Sequence, residues 1–127
     1  MIEGLFNQPN YLAAKKLLDV SELRHEAISS NLANLETPHY KRLDVAPNFA
    51  AQLSHAVHGR DPGQISDLKP ELAVDTSAVS SRKDGNTVQL ESELMRLNQN
   101  YLEHQLETQL ITGSMLRLRL AITGRPS

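Results

Sequence analysis

The sequence predicts a mainly α fold in which two long N- and C-terminal helices pair as an antiparallel coiled-coil hairpin, with a loop-rich insert between them. Apolar residues recur at steps of three and four in two stretches, residues 9–36 and 88–122, which is the period of a helix with one apolar face. The segment between these stretches is rich in Pro, Gly, Ser and Asp and has no sustained period. Because that segment can return the chain, the two helices are expected to lie side by side in opposite directions.

The composition limits the class of protein. A chain of 127 residues is most simply one domain, and aromatic residues make up only 4% of it, so few large side chains are available for a core. The formal charge of -2 argues against a general binder of polyanions, which normally carries a strong basic excess. The absence of cysteine removes disulfides, thiolate metal ligands and cysteine nucleophiles.

The sequence shows no segment typical of a cleaved signal peptide, and no run of roughly 18 apolar residues that would span a membrane. We therefore expect a protein that either stays in the cytosol or leaves it by a route that needs no cleaved signal.

The first helix is predicted for residues 9–36. Pro9 suits the first turn of a helix, where its missing amide hydrogen is not needed. Pro38 supplies no donor and disfavours the α conformation of the residue before it, so the helix is expected to end near Leu35 or Glu36. The apolar positions expected to pack against other helices are Leu17, Val20, Ile28 and Leu32.

The chain divides into residues 1–40, 41–86 and 87–127, of which the first and the last are expected to form one discontinuous helical domain. The middle segment is the insert, expected to be loop-rich and partly disordered in the free monomer. Apolar residues roughly alternate at residues 64–68 and 72–74, which indicates short strands. A segment this polar is equally consistent with disorder until a partner orders it, and the sequence leaves both alternatives open.

The second long helix is predicted for residues 88–122. Its apolar positions alternate at spacings of four and three, as in the seam of a coiled coil, and they are Leu90, Leu94, Leu97, Tyr101, Ile111, Met115, Leu118 and Ile122. A second row lies beside the seam and consists of Leu102, Leu106, Leu110, Gly113, Leu116 and Leu120. Since this apolar surface is wider than one partner helix covers, further chains are expected to cover the remainder.

Candidates for chemistry are few. His55, His58 and Asp61 have a spacing at which side chains can share a metal ion, but their loop-rich setting favours ordinary surface residues, so no metal or cofactor site is predicted. Glu91 and Glu93 near a helix start are explained by the favourable interaction of acids with the helix dipole. No phosphate-binding, dinucleotide or serine-hydrolase motif is present, so an enzyme is not expected.

Two segments resemble signatures of the bacterial flagellar axial proteins. SSNLANLETPHYKR is similar to the A-N-x-x-T-P-G-Y signature near the N-terminus of that group, and DGNTVQLESELMRL is similar to the D-G-N-x-V-x-x-x-x-E opening of the C-terminal helix in its proximal rod members. The residues that carry the resemblance are Asn31, Ala33, Asn34, Thr37, Pro38, Tyr40, Asp84, Gly85, Asn86, Val88 and Glu93. His39 stands where the signature has glycine, and histidine adopts a positive φ less readily.

The resemblance implies a structural subunit of the flagellar basal body rod, of the proximal rod type, that assembles through its terminal helices and links the membrane ring to the hook. It implies as partners copies of the chain, other rod proteins, membrane-ring and ring-to-rod junction proteins, and the flagellar type III export apparatus. It also implies a rod within the periplasmic space, export without a cleaved signal peptide, and no nucleic acid, small-molecule substrate or cofactor.

The motif residues at the end of the first helix are expected to hydrogen-bond backbone groups there or to contact a neighbouring subunit, with Tyr40 anchoring the exit of the chain. A different class of protein would use the same apolar rows. The alternative is a cytosolic helical adaptor or export chaperone of coiled-coil type, which would bind a client.

Overall fold

The computed structural model describes residues 9–80 and 82–124, except for the side chains at positions 118 and 121–123. Within this part of the chain the elements are α1 (Pro9–Ala33), β1 (Leu43–Val45), α2 (Asn48–Gly59), α3 (Pro62–Asp67), β2 (Leu72–Val74) and α4 (Leu90–Thr123). The C-terminal end of α1 contacts the start of α4, through Asn31 and Glu93, and Ser21 contacts Asn100 further along. The two long helices therefore pack antiparallel, which confirms the predicted fold class.

Helix α1 ends at Ala33, two to three residues before the predicted end. The amide of Leu35 donates to the carbonyl of Leu32 (3.3 Å) and that of Thr37 to the carbonyl of Asn34 (3.1 Å), so hydrogen bonds now reach back three residues instead of four. The chain thus tightens into turns before it reaches Pro38, and the predicted end near Leu35 or Glu36 is slightly too late.

Helix α4 is a single element of 34 residues, about 50 Å long at roughly 1.5 Å per residue. Its first turn carries Glu91 and Glu93. Its last residue is Thr123, and Gly124 caps it. Gly124 has a left-handed φ of 66°, and its amide donates to the carbonyl of Leu120 (2.8 Å). Glycine at this position makes a left-handed helix end inexpensive.

The insert contains helix α2, which the sequence analysis did not predict. Phe49, Leu53 and Ala56 are buried on one side of it, at steps of four and three. The helical period is therefore present in the sequence, but only over 12 residues between segments rich in Pro and Gly.

Residues 64–68 do not form the predicted strand, because most of them belong to helix α3. Pro62 occupies the first turn of this helix, and the side chain of Asp61 caps it by accepting a hydrogen bond from the amide of Gly63 (3.0 Å). The strand predicted at residues 72–74 is confirmed as β2, which pairs antiparallel with β1 so that Leu43 lies opposite Val74.

The main apolar core joins the insert to α1. It contains six buried residues contributed by α1, β1, α2 and α3: Val20, Val45, Phe49, Leu53, Ala56 and Ile65. Leu12, Ala13 and Leu23 of α1 pack against this cluster. The insert therefore covers one side of α1 and positions β1 beside the end of that helix.

Helix α4 meets α1 through a polar row and not through its apolar seam. Glu93, Asn100 and Glu107 follow at intervals of seven and are 0%, 4% and 9% exposed. Asn100 Nδ2 donates to the carbonyl of Ser21 (2.8 Å). The polar row is buried at this contact because α1 supplies hydrogen-bond partners for it.

The apolar residues predicted to form the helix-packing interface differ in their exposure. On α4, Leu90, Leu94, Tyr101 and Met115 are exposed, Leu97 and Ile111 are half-buried, and the side chains of Leu118 and Ile122 lie outside the described residues. On α1, Val20 and Ile28 are buried, Leu32 is half-buried and Leu17 is exposed. Four of the six seam residues of α4 whose side chains are described are therefore free to contact other chains.

Burial raises the pKa of the Glu107 carboxyl above its usual value. The hydroxyl of Ser21 opposes this increase, the charge of Glu103 adds to it, and the charges of His104 and Arg24 oppose it. Glu107 Oε2 is buried and finds no hydrogen-bond partner among the described residues. The ionised carboxylate of Glu107 therefore destabilises the contact between α1 and α4.

Replacing Glu107 by Gln is expected to increase the free energy of unfolding at neutral pH by about 1 kcal/mol, because the change removes a buried charge. A raised pKa means that the folded chain binds the proton more tightly than the unfolded chain does. Wild-type stability should then fall as pH rises from about 4.5 through the folded-state pKa, and the variant should lack this fall.

Urea titrations across that pH range measure the effect, with Glu71→Gln at an exposed position as the matched control. A Glu107→Gln variant that is less stable than wild type at neutral pH would contradict the expectation.

Candidate assembly site at the junction of the long helices

The two sequence motifs meet where α1 ends and α4 begins. We call this place the junction and define it by Asn31, Tyr40, Arg42, Asn86 and Glu93. All of these except Tyr40 are at most 2% exposed, although each is polar or charged. Such burial is unfavourable unless every group finds partners, so the hydrogen bonds of these side chains decide how the junction is built.

Asn31 connects α1, β1 and α4 through both ends of its amide. Its Oδ1 accepts from the amide of Leu43 (2.8 Å) and its Nδ2 donates to the carbonyl of the same residue (2.9 Å). Its Oδ1 also accepts from the Tyr40 hydroxyl (3.2 Å), and its Nδ2 lies 3.3 Å from Glu93 Oε2. One side chain therefore holds three elements in register.

Asn86 binds three carbonyl groups of the turn in which α1 ends. Its Nδ2 lies within 3.1 Å of the carbonyl oxygens of Asn34, Leu35 and Thr37, which share its two hydrogens. Its Oδ1 accepts from the amide of Val88 (2.7 Å), just before α4 begins. The end of one long helix and the approach to the other thus depend on the same amide.

Two further motif residues act locally at the end of α1. Asn34 Nδ2 donates to the carbonyl of Ser30 (2.8 Å), and the Thr37 hydroxyl donates to Asn34 Oδ1 (3.1 Å). Ala33, Thr37 and Pro38 are exposed. The motif therefore has a buried part, which holds the chain together, and an exposed tip.

The segment around Gly85 forms the other half of the junction. Asp84 accepts from the amide of Asn86 (3.0 Å) and from Arg82 Nη2 (2.9 Å), and Arg82 Nη1 donates to the carbonyl of Leu35 (2.6 Å). Val88, the last apolar residue before α4, is fully buried. These contacts place the start of α4 against the end of α1.

His39 and Gly85 face each other across the junction. His39 has a φ of 62° and its amide donates to the carbonyl of Asp84 (2.8 Å). The turn therefore keeps a positive φ even though glycine is absent, at some cost in strain. Gly85 has a φ of 77°, and a Cβ built there would lie 2.9 Å from His39 Nδ1. A side chain at position 85 would therefore be strained by the positive φ and would force the imidazole of His39 to move.

Arg42 is the main residue that the sequence analysis missed. Its Nε donates to Glu93 Oε1 (2.6 Å), and its Nη1 contacts Asp75 and lies 3.3 Å from Asp44 Oδ2. A hydrogen bond from the Ser77 hydroxyl lowers the pKa of Asp75. Burial opposes this decrease, and the hydrogen bond from Arg42 adds to it.

Glu93 therefore forms a buried ion pair with Arg42. The sequence analysis had explained this acid only by its favourable interaction with the helix dipole. The sequence did contain a signal for this pair. Lys41 and Arg42 follow directly after the first motif, and Glu93 of the second motif is an acid that could pair with one of them.

The residues considered for metal binding lie elsewhere. Asp61 caps α3, His58 Nδ1 lies 2.7 Å from the carbonyl of Ser54, and His55 is exposed. Among residues 9–80 and 82–124 no three His, Cys, Asp or Glu side chains are grouped to hold a metal ion. In the same residues no helix combines the length and the apolar character needed to cross a membrane.

A second surface of interest is a groove between α1 and α4 with a volume of about 700 Å³. Its lining includes Leu94, Leu97 and Tyr101 of the predicted seam, together with Glu22 and His25 of α1. On the opposite flank of the contact between α1 and α4, Arg24 pairs with Asp44 (3.3 Å) and Glu103 (3.5 Å). One flank of the hairpin is thus held by ion pairs, while the other is open and apolar.

Similar proteins occur in distant bacteria. The chain is 32% identical over 116 residues to a protein of Cereibacter sphaeroides named flagellar basal body rod protein FlgB, covering 84% of this chain and 88% of that one. Proteins of the same name from Borrelia hermsii and Aquifex aeolicus are 30% and 28% identical, covering 76% and 87% of this chain and 83% and 90% of their own lengths. No family model matches the chain.

Replacing Glu93 by Ala is expected to lower the free energy of unfolding by about 3–5 kcal/mol, because Arg42 would remain buried without its main partner. The double variant Arg42→Met with Glu93→Leu should regain part of this loss, since it leaves no unpaired charge. Urea titrations followed by circular dichroism measure both.

The control is Glu91→Ala, an exposed acid two residues earlier, which should cost no more than about 1 kcal/mol. If the variants at positions 91 and 93 are equally stable, the buried pair does not hold the junction.

Proposed function

The chain belongs to the FlgB family of flagellar basal body rod proteins, and from this premise we propose that it forms part of the proximal rod, in the drive shaft between the membrane ring and the hook. It is a structural subunit of the flagellar basal body rod. The observation that carries this function is the similarity to FlgB proteins over most of both chains. The coiled-coil adaptor or export chaperone is not favoured.

Assembly is proposed to occur through the two long helices. Leu90, Leu94, Tyr101, Leu102 and Met115 of α4 are between 42% and 59% exposed. Exposed apolar surface of this extent is typical of an interface, and a hairpin of two helices cannot cover it alone. The proposed partners are copies of this chain, other rod proteins, and the membrane-ring and ring-to-rod junction proteins.

The junction is proposed to fix the geometry in which α1 and α4 present these surfaces. Asn31, Asn86 and Glu93 are buried within one chain, so they act by holding its own elements. The exposed tip, which includes Ala33, Thr37 and Pro38, is the part of the motif available to a neighbouring subunit. Most polar side-chain atoms of the junction are engaged with one another, although Arg42 Nη2 finds no hydrogen-bond partner among the described residues, and this supports a structural role.

The place proposed for the chain is the rod within the periplasmic space. It would reach this place through the flagellar type III export apparatus, without a cleaved signal peptide. The support for the rod position is the name shared by the relatives, which places those proteins in the basal body rod. The route of export rests on the resemblance of the sequence to the flagellar axial proteins.

Replacing Asn34 by Ala is expected to lower the free energy of unfolding by about 1 kcal/mol and to reduce rod assembly and motility, because the turn after α1 loses two side-chain hydrogen bonds. The stronger variant is Asn31→Ala, which should abolish both by detaching β1 and α4. Variants are expressed in a strain that lacks the gene, and swimming is scored.

Basal bodies from the same strains are purified from detergent-lysed cells and probed for the chain. Ser29→Ala, at an exposed position on the same helix, should assemble normally. Normal motility with Asn34→Ala would count against a role for the motif, and absence of the wild-type chain from basal bodies would count against the rod position.

The free chain is proposed to be ordered at the junction and loosely ordered at the far end of the hairpin, where partners are needed to cover α4. In dilute monomer, backbone amides of residues 108–123 should exchange at least about tenfold faster than those of residues 93–107, since no described side chain between positions 108 and 120 is buried. Hydrogen exchange at two protein concentrations measures this and separates self-association from order in the monomer. Strong protection along the whole of both long helices would refute the proposal.

A further inference from the structure

Charge is distributed unevenly along the hairpin formed by α1 and α4. One half, residues 19–33 and 90–107, contains seven Asp and Glu residues against two Arg, and we call it the acidic half. The other half, residues 9–18 and 108–124, contains Lys15, Lys16, Arg117 and Arg119 and no acidic residue, and we call it the basic half. The two halves therefore carry opposite formal charge although the whole chain is close to neutral.

The apolar groove lies in the acidic half. Leu94, Leu97 and Tyr101 line it, and Glu22 borders it on α1. Glu22 and its neighbour Glu26 are exposed and make no ion pair within the described residues. The acidic half thus offers an apolar surface edged by carboxylates that form no ion pair with the described part of their own chain.

A second apolar surface occupies a different face of α4. We call it the leucine ridge, and its members are 40% to 59% exposed: Leu102, Leu106, Leu110, Leu116 and Leu120. Successive residues of a helix turn by about 100°, which places most of the ridge roughly opposite the row of Glu93, Asn100 and Glu107 that contacts α1. The ridge continues into the basic half, where Arg117 and Arg119 accompany Leu116 and Leu120.

We propose that the groove in the acidic half of one copy of this chain binds the leucine ridge in the basic half of a second copy. The apolar parts of both surfaces are covered in this contact, and Arg117 and Arg119 approach Glu22 and Glu26. The two copies are displaced along the helix axis by about half of α4, on the order of 25 Å at 1.5 Å per residue. The inference rests on the proposed rod function and specifies the contact that the function needs.

The contact joins two different surfaces, so it is heterologous. A symmetric dimer built on the groove alone, or on the basic half of the ridge alone, would place like charges opposite each other, whereas the displaced contact pairs acids with bases. Each copy keeps one unused groove or one unused ridge after binding. Repetition of such a contact gives a ring or an open helical array, as a shaft requires.

Disulfide trapping tests the contact, because the chain contains no cysteine and single cysteines can be placed at will. Tyr101→Cys marks the groove and Leu116→Cys marks the ridge, both at exposed positions. When the two full-length variants are mixed and mildly oxidised, the mixed dimer should exceed either symmetric dimer about tenfold, because a disulfide needs Cβ atoms about 4 Å apart. Circular dichroism of each variant confirms that it is folded before mixing.

Charge reversal tests the pairing itself. Glu22→Lys with Glu26→Lys on the groove chain, or Arg117→Glu with Arg119→Glu on the ridge chain, should each reduce the mixed dimer several-fold, and the two reversed chains together should restore it. Raising the salt concentration should weaken the wild-type contact and leave the fold unchanged.

Symmetric dimers that equal or exceed the mixed dimer, or a mixed dimer that charge reversal does not alter, would overturn the heterologous contact. If trapping fails while the chain is found in purified basal bodies, the contact is wrong and the rod function stands. If trapping succeeds while the chain is absent from basal bodies, the rod function is wrong and the contact describes a different assembly.

Discussion

The buried ion pair between Arg42 and Glu93 is the interaction on which the rest of the structure depends. Removing two charges from water is costly, and contacts with Asn31, Asp44 and Asp75 offset part of this cost, while Arg42 Nη2 finds no hydrogen-bond partner among the described residues. Such a pair contributes little net stability compared with apolar packing. It strongly disfavours other arrangements, because any shift of α4 along α1 would leave a buried charge alone. The pair therefore sets the register of the hairpin.

The same constraint explains why the apolar surface of α4 faces outward. With Glu93 held at the junction, positions seven and fourteen residues later are directed toward α1, and these are Asn100 and Glu107. The seam that begins at Leu90 and Leu94 lies to one side of that row. A chain that used its best apolar face internally would have little left with which to assemble, so a polar internal contact is well suited to a subunit of a larger shaft.

The insert supports this arrangement from the other side. Its core, built on Phe49, Leu53 and Ile65, packs against α1 and holds β1 beside the end of that helix. Because β1 follows directly after Arg42, the position of the guanidinium depends on this small core as well as on the junction. The insert is therefore part of the scaffold of the hairpin and more than a connecting loop.

The amino-acid sequence by itself determines the two long helices, their boundaries to within a few residues and the place of the junction, because Pro38, Gly85 and the three-four period act locally. The family signature in residues 31–40 and 84–93 also lies within short segments. Helices α2 and α3 were missed because their apolar periods are short and set among Pro and Gly. Only the tertiary structure decided that Arg42 pairs with Glu93, 51 positions away, and that α4 turns a polar row toward α1. Both depend on which buried polar groups find partners at a distance, and a local pattern of side chains does not specify that choice.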